Sequence, residues 1–187
     1  MFKNISADLK RYVRAKEDCS STITYFLQFI PIILLHEGAI CMIGYRLASW
    51  LYRKGIPIVP NLTSKIFFFL TGNWIHPESR IGPGCKINHS GVAIHADIGK
   101  GLECTMSISI GPKMLYDLSH FPVIGDYVVI GAGARVFSDV GNEVIIGANA
   151  VVLKPVKDGK IVVGIPAEEA GSSDEFMRYY KSLFKGI

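Results

Sequence analysis

Aliphatic residues recur every six positions through the second half of the chain, in four runs. Ile75, Ile81 and Ile87 form the first, and Val92, Ile98, Cys104 and Ile110 the second. Ile124, Ile130 and Val136 form the third, and Ile146 and Val152 the fourth. Six Ile-Gly pairs between residues 81 and 147 punctuate these runs. A period of six fits neither the 3.6 of a helix nor the 2 of a single alternating strand. It fits a chain that turns a corner after each short strand and sends one aliphatic side chain per face into a narrow triangular core. That is a parallel β-helix built on hexapeptide repeats. At about eighteen residues per coil, the stretch from Ile75 to Ile165 predicts roughly five coils.

The rhythm breaks in three places. One residue is missing between Ile87 and Val92, and two are missing between Val136 and Ile146. Between Ile110 and Ile124 the interval is fourteen instead of twelve, so segment 112–122 is the expected loop. The first 72 residues lack the period and predict a small helical domain. A short amphipathic helix is expected around Asp8, Leu9, Tyr12 and Val13, a second over Ile23 to Ile30, and a third from Pro31. Gly38 to Lys54 predicts a helix whose stripe is Ile40, Ile43, Leu47, Trp50 and Leu51, ended by Gly55-Ile56-Pro57. Thr63 to Leu70 predicts a last apolar helix before the coil. After Pro166 the repeat stops, and Glu175, Phe176, Tyr179, Tyr180 and Phe184 predict a short helix that caps the last coil. The expected division is 1–72, 73–170 and 171–187.

Composition narrows the classes. At 187 residues the chain is one domain with a modest appendage. The net charge of +4 suits an anionic small ligand, and no basic run or aromatic-basic interleaving points to nucleic acid. The four cysteines, Cys19, Cys41, Cys85 and Cys104, contain no C-x-x-C pair, which excludes a zinc ribbon and fits a reducing compartment. Cys104 reads as a small core residue. The apolar stretch Tyr25 to Leu35 holds Pro31 and is too short to span a bilayer. The start of the chain carries no secretory pattern, so a cytoplasmic protein with at most peripheral membrane contact is expected.

Several blocks resemble a known family. Residues 44–56, Ile75-His76-Pro77 with Ile81-Gly82-Pro83-Gly84, and Ile87-Asn88-His89 are three of them. Ile130-Gly131-Ala132-Gly133-Ala134, Ile146-Gly147-Ala148-Asn149-Ala150-Val151-Val152 and Val163-Gly164-Ile165-Pro166-Ala167 follow in the same order. Together, over about residues 38–170, they resemble serine acetyltransferases and related polysaccharide O-acetyltransferases. The resemblance implies a mainly β, left-handed parallel β-helix with an α-helical N-terminal domain and a short C-terminal helix. It also implies acetyl-CoA as co-substrate, no metal, and a homotrimer, or two trimers paired, with the cofactor groove shared between chains.

Carried over residue by residue, the resemblance places the catalytic base on His89. The chemistry needs such a group: an imidazole can take the proton of an attacking hydroxyl and return one to the leaving thiolate. His120 is the second catalytic candidate, displaced by one residue from the family's His-Pro because Phe121 intervenes. His76 matches a histidine that is structural in the family. Gly111, Ala132, Gly133 and Ala148 are small enough for the pantetheine arm to approach the backbone, and Lys154, with Lys157 and Lys160, could meet the CoA phosphates. A weaker alternative is a trimeric zinc enzyme resembling the γ-type carbonic anhydrases, using His89, His95 and His120 from neighbouring chains. His95 lies six residues after His89, one face further round the triangle, which opposes convergence within one chain.

Three departures bear on the acceptor. The family's Asp before the catalytic His is Asn88 here, its Asp before Ile-His-Pro is Trp74, and no Asp lies between Ser20 and His36. A free amino acid presents an ammonium, for which carboxylates are the natural partners. Their loss favours an uncharged acceptor such as a saccharide hydroxyl in surface-polysaccharide synthesis, with Trp74 and Asn88 at the acceptor; serine for cysteine synthesis is the alternative. A non-catalytic scaffold ranks below both, because His89 is present. With Asn88 and Trp74 in place of the two carboxylates, Asn73, Glu78 or a backbone carbonyl is left to orient His89.

Overall fold

A computed structural model describes residues 2–12, 29–113 and 121–184. The expected helix over Ile23 to Ile30 falls mostly outside these residues, as do His120 and Cys19. Among the described residues four helices precede the coil: α1 (Phe2–Lys10), α2 (Phe29–Leu35), α3 (Glu37–Arg53) and α4 (Val59–Thr71). Pro31 sits in the first turn of α2 and Pro60 in that of α4, where a missing N–H costs nothing. Gly72, left-handed at φ 68°, ends α4 and turns the chain into the first strand. Among the described residues no helix is long and apolar enough to cross a membrane.

The coil is a three-sided parallel solenoid of two-residue strands. Its first turn is β1 (Trp74–Ile75), β2 (Arg80–Ile81) and β3 (Lys86–Ile87); the second is β4 (Ala93–Ile94), β5 (Asp97–Ile98) and β6 (Glu103–Cys104). The third is β7 (Ser109–Ile110), β8 (Val123–Ile124) and β9 (Val129–Ile130). β10 (Arg135–Val136) and β11 (Ile145–Ile146) belong to the fourth, β12 (Val151–Val152) and β13 (Lys160–Val163) to the fifth. Single bridges through Val140 and Val156 carry the remaining side past β8. The first face stacks β1, β4, β7, β10 and β12; the second stacks β2, β5 and β8; the third stacks β3, β6, β9, β11 and β13. Partners are 16 to 19 residues apart, and 26 apart across the turn that contains the inserted loop. Ile87, Cys104, Ile130, Val136 and Ile146 are fully buried in one core that runs along the coil axis.

One slip falls elsewhere than the spacing predicts. Ile94, not Val92, pairs with Ile75, and only His95 and Ala96 separate β4 from β5. Val92 is buried one step earlier on the same side, so an aliphatic count could not tell the two apart.

The helices close the open edge of the first turn. That edge presents N–H and C=O groups with no earlier coil to pair with. Tyr45 donates its hydroxyl to Ser79 O (2.7 Å) and accepts from Ile81 N–H (3.0 Å). Tyr12 does the same for Ile87, with 2.8 Å to its O and 3.0 Å from its N–H. Arg46 donates to Ile81 O and to Gly82 O (2.7 Å), and Asp8 accepts from Cys85 N–H (3.0 Å). Asp8 and Arg46 pair with each other at 2.9 Å, and both are buried. The buried residues of α3 are Gly38, Ala39, Cys41, Met42, Gly44, Tyr45, Arg46, Ala48 and Ser49; of the expected stripe, Ile40, Ile43 and Leu51 are half-buried, and Leu47 and Trp50 are exposed. A Cβ on Gly38 would lie 1.8 Å from Ile87 O, so only glycine fits where the start of α3 meets the coil, while Tyr45 and Arg46 reach it with their polar ends.

The C-terminal helix α5 (Asp174–Ser182) follows β14 (Glu168–Ser172), which pairs antiparallel with β13 at the last turn. α5 then runs back along the flank of the coil. Ser173 N–H donates to Gly159 O (3.0 Å), Tyr180 OH to Gly101 O (2.9 Å), and Phe184 packs on Tyr127 with centroids 5.0 Å apart. These contacts put the expected cap along the side of the coil, and β14 is what covers the edge of the last strand.

Candidate active site

His89 follows β3 at the corner between the third and first faces. Its side chain is exposed, and its backbone N–H donates to Thr105 O (3.0 Å) on the next turn. The corner is a ladder of backbone bonds: Gly91 N–H to Gly72 O (3.1 Å), Ser107 N–H to Ser90 O (3.2 Å), Gly133 N–H to Met106 O (2.9 Å) and Asn149 N–H to Ala132 O (2.8 Å). Ala132, Gly133 and Ala148 thus lie on the same edge of the prism as His89, two and three turns further on. The edge is narrow by necessity. A Cβ on Gly133 would meet Asn149 Oδ1 at 2.0 Å, and one on Gly131 would meet Ala148 N at 2.6 Å. A smooth, side-chain-poor ridge of this kind fits an extended pantetheine arm.

Asn88 has its amide turned into the protein. Nδ2 donates to Glu103 Oε1 (3.1 Å) and to Cys104 O (3.2 Å). Glu103 Oε2 accepts from Arg11 Nη2 (2.6 Å), which also donates to Tyr180 OH (2.9 Å). The residue before His89 is thereby tied through the second turn to the ends of α1 and α5. Sequence spacing could not reveal this chain of bonds, because its members are 15 to 169 residues apart.

Trp74 points outward from the first face, edge-on to Phe68 with centroids 5.9 Å apart. With Ala93, Ser109, Gly111, Arg135 and Phe137 it lines a groove of about 390 Å³. Gly111 and Lys154 belong to the far corner of that face, across from His89; Lys154 is exposed. The structure therefore brings His89, Ala132, Gly133 and Ala148 to one corner and places Gly111 and Lys154 on the other. Arg135, which the sequence reading passed over, links them: it lies in the groove and donates to Ser107 O and to Gly133 O (2.9 Å) at the His89 corner.

Of the groups expected to orient His89, Asn73 accepts from Val92 N–H (2.9 Å) with Oδ1, and its buried Nδ2 has no hydrogen-bond partner among the described residues. Glu78 is engaged elsewhere, 3.9 Å from His76 Nδ1 and 3.6 Å from His95 Nε2. Burial, and then the neighbouring His95, hold the His76 imidazole below its usual range against the pull of Glu78. Burial pushes the Cys41 thiol up to about 12 and the Cys85 thiol well above its ordinary value, so neither is a nucleophile.

No family model matches the chain. A serine acetyltransferase of Mycobacterium tuberculosis is 35% identical over 149 residues, covering 77% of this chain and 65% of that protein. One of Synechococcus elongatus is 33% identical over 171 residues, covering 89% and 67%, and one of Helicobacter pylori is 35% identical over 142 residues, covering 73% and 83%. The chain spans about two thirds of the length of the first two. Among solved structures, the Neisseria gonorrhoeae serine acetyltransferase superposes with a TM-score of 0.79 at 25% identity, covering 92% of this chain and 66% of that one. The soybean enzyme complexed with serine superposes at 0.78 and 26%, covering 90% and 68%. The exposed histidine on a glycine-lined corner, the five stacked turns and this shared sequence lead to one assignment: the chain belongs to the serine acetyltransferase family of hexapeptide-repeat acetyltransferases.

Proposed function

We propose that the protein transfers acetyl from acetyl-CoA to the hydroxyl of L-serine, with His89 as general base. The observation that carries this reading is the exposed His89 ring at the head of the Ala132, Gly133 and Ala148 ridge, in a chain a third identical to serine acetyltransferases. His89 takes the hydroxyl proton as the oxygen attacks the thioester carbonyl, and backbone N–H groups of the corner receive the developing oxyanion. The carbon–sulfur bond then breaks, and the imidazolium returns its proton to the CoA thiolate. The ridge and groove hold the co-substrate against a neighbouring copy in a homotrimer, with Lys154 toward the CoA phosphates; His120, outside the described residues, is the second catalytic candidate. No residue of the site needs a metal for this step.

A saccharide hydroxyl is the second reading. It is favoured by Asn88 and Trp74 standing where carboxylates would face a serine ammonium, and by the groove Trp74 lines. The relatives named above are serine acetyltransferases and weigh against it. The test is acceptor-dependent thiol release from acetyl-CoA with serine and a panel of sugars. Serine-dependent release that falls about 10²–10⁴-fold in His89→Ala supports the proposal. Release with a sugar and none with serine moves the acceptor; release from either that survives in His89→Ala removes the base.

A further inference from the structure

We infer that His76, Glu78 and His95 form a binding site for a divalent transition-metal ion at the corner between the first and second faces. Their ligand atoms lie within 4.8 Å of one another, with Glu78 Oε2 3.6 Å from His95 Nε2 and 3.9 Å from His76 Nδ1. An ion about 2.1 Å from each of three tetrahedral ligands separates them by roughly 3.4 Å. The two Glu78 separations are therefore close to binding distance.

Two features set it apart from a chance meeting of surface groups. The first is register. Ile75 pairs with Ile94, so His76 and His95 follow at the same step on adjacent turns, and their rings stack with centroids 4.0 Å apart. The β1–β4 pairing creates this superposition. Phe121 packs on His95 from another side, with centroids 4.1 Å apart, and fixes the ring. The second feature is an orphan. His95 Nε2 is buried and has no hydrogen-bond partner among the described residues, although it faces a carboxylate. A buried polar atom without a partner is costly, and an ion at this point would satisfy it. On the other ring, His76 Nδ1 accepts only a long bond from Glu78 N–H (3.4 Å), which an ion would replace.

Two imidazoles and one carboxylate select a borderline ion such as Zn²⁺ or Co²⁺ over Mg²⁺ or Ca²⁺, which prefer oxygen ligands. A fourth position would open on the cleft of about 550 Å³ that Glu78 lines with Arg53, Arg80 and Phe121. The ion would clamp the first turn to the second. The inference is independent of the acetyl-transfer reading.

The test is titration of the untagged protein with Co²⁺, read by visible absorption, then displacement by Zn²⁺. Binding of one Co²⁺ per chain, with the band intensity of a low-coordinate site, is expected. Glu78→Gln, His76→Gln and His95→Gln should each weaken binding more than about tenfold, the loss that even outer partners of a metal site can cause. His89→Ala should bind as the wild type does. Far-ultraviolet circular dichroism checks folding, and if a histidine variant is unfolded, Glu78→Gln decides alone, being a near-isosteric change at an exposed side chain. Zn²⁺ should raise the melting temperature of the wild type and not of Glu78→Gln. Absence of a Co²⁺ band, or equal binding by wild type and Glu78→Gln, overturns the inference; so does loss of binding in His89→Ala.

Discussion

The coil and the helices that close its first turn bury their surfaces by different means. In the coil each turn repeats the same solution: a backbone ladder to the next turn and aliphatic side chains inward, with Ile108, Ile130 and Ile146 fully buried. Between helices and coil, much of the contact is polar. Asp8, Tyr12, Tyr45 and Arg46 meet the N–H and C=O groups that an earlier turn would otherwise have paired. A repeat can propagate on hydrophobic pattern alone, but its end needs specific donors and acceptors. The cap should therefore be sensitive to single atoms, where the coil responds to volume.

The cap can be tested separately, because Cys41 lies on α3 while Cys85 and Cys104 lie in the coil. All three thiols are buried, so a thiol reagent in rising urea reports where opening begins. The largest effect is expected from Asp8→Ala, which leaves the Arg46 guanidinium buried without its partner. A loss of about 3–5 kcal/mol in urea unfolding is expected, with Cys41 labelled well before Cys104. Simultaneous labelling of all three would break the distinction, making cap and coil one cooperative unit. Gly38→Ala comes next: the added methyl collides with Ile87 O and the Tyr12 hydroxyl, at a cost of about 1–3 kcal/mol. Because Ile87 is two residues from His89, acetyl transfer should fall with it, measured as thiol release. Tyr45→Phe removes one hydroxyl that serves both Ser79 O and Ile81 N–H. About 1–2 kcal/mol should be lost, with earlier labelling of Cys41 as the mark of a weakened cap. Lys181→Met is the small end of the series. Its 2.8 Å pair with Glu143 is exposed on both sides, and the unfolding free energy should fall by less than about 1 kcal/mol.

The acceptor question shows how far residues can be read without their partners. Asn88 and Trp74 suggest a saccharide when weighed against the family pattern, because each replaces a carboxylate. In the fold, Asn88 donates into Glu103 and the carboxylate of Asp8 is consumed by Arg46. Neither fact is legible from spacing, and the relatives favour serine. The same holds for Glu78, named as a possible partner of His89 and found beside His76 and His95 instead.

The hydrophobic pattern was enough to establish five turns, the inward side chains and the helices at both ends, and the family resemblance singled out His89. Inward and outward alternate along one strand and need no knowledge of any other. Which residues meet between turns was decided only in three dimensions. Neighbours there are 16 to 26 residues apart, and a corner shortened by two residues moves every later contact. That is why the stacking of His95 on His76, the Asn88–Glu103–Arg11 chain and the close approach of Gly38 to Ile87 had no signature in the hydrophobic pattern: each depends on the lengths of corners and the closeness of backbones.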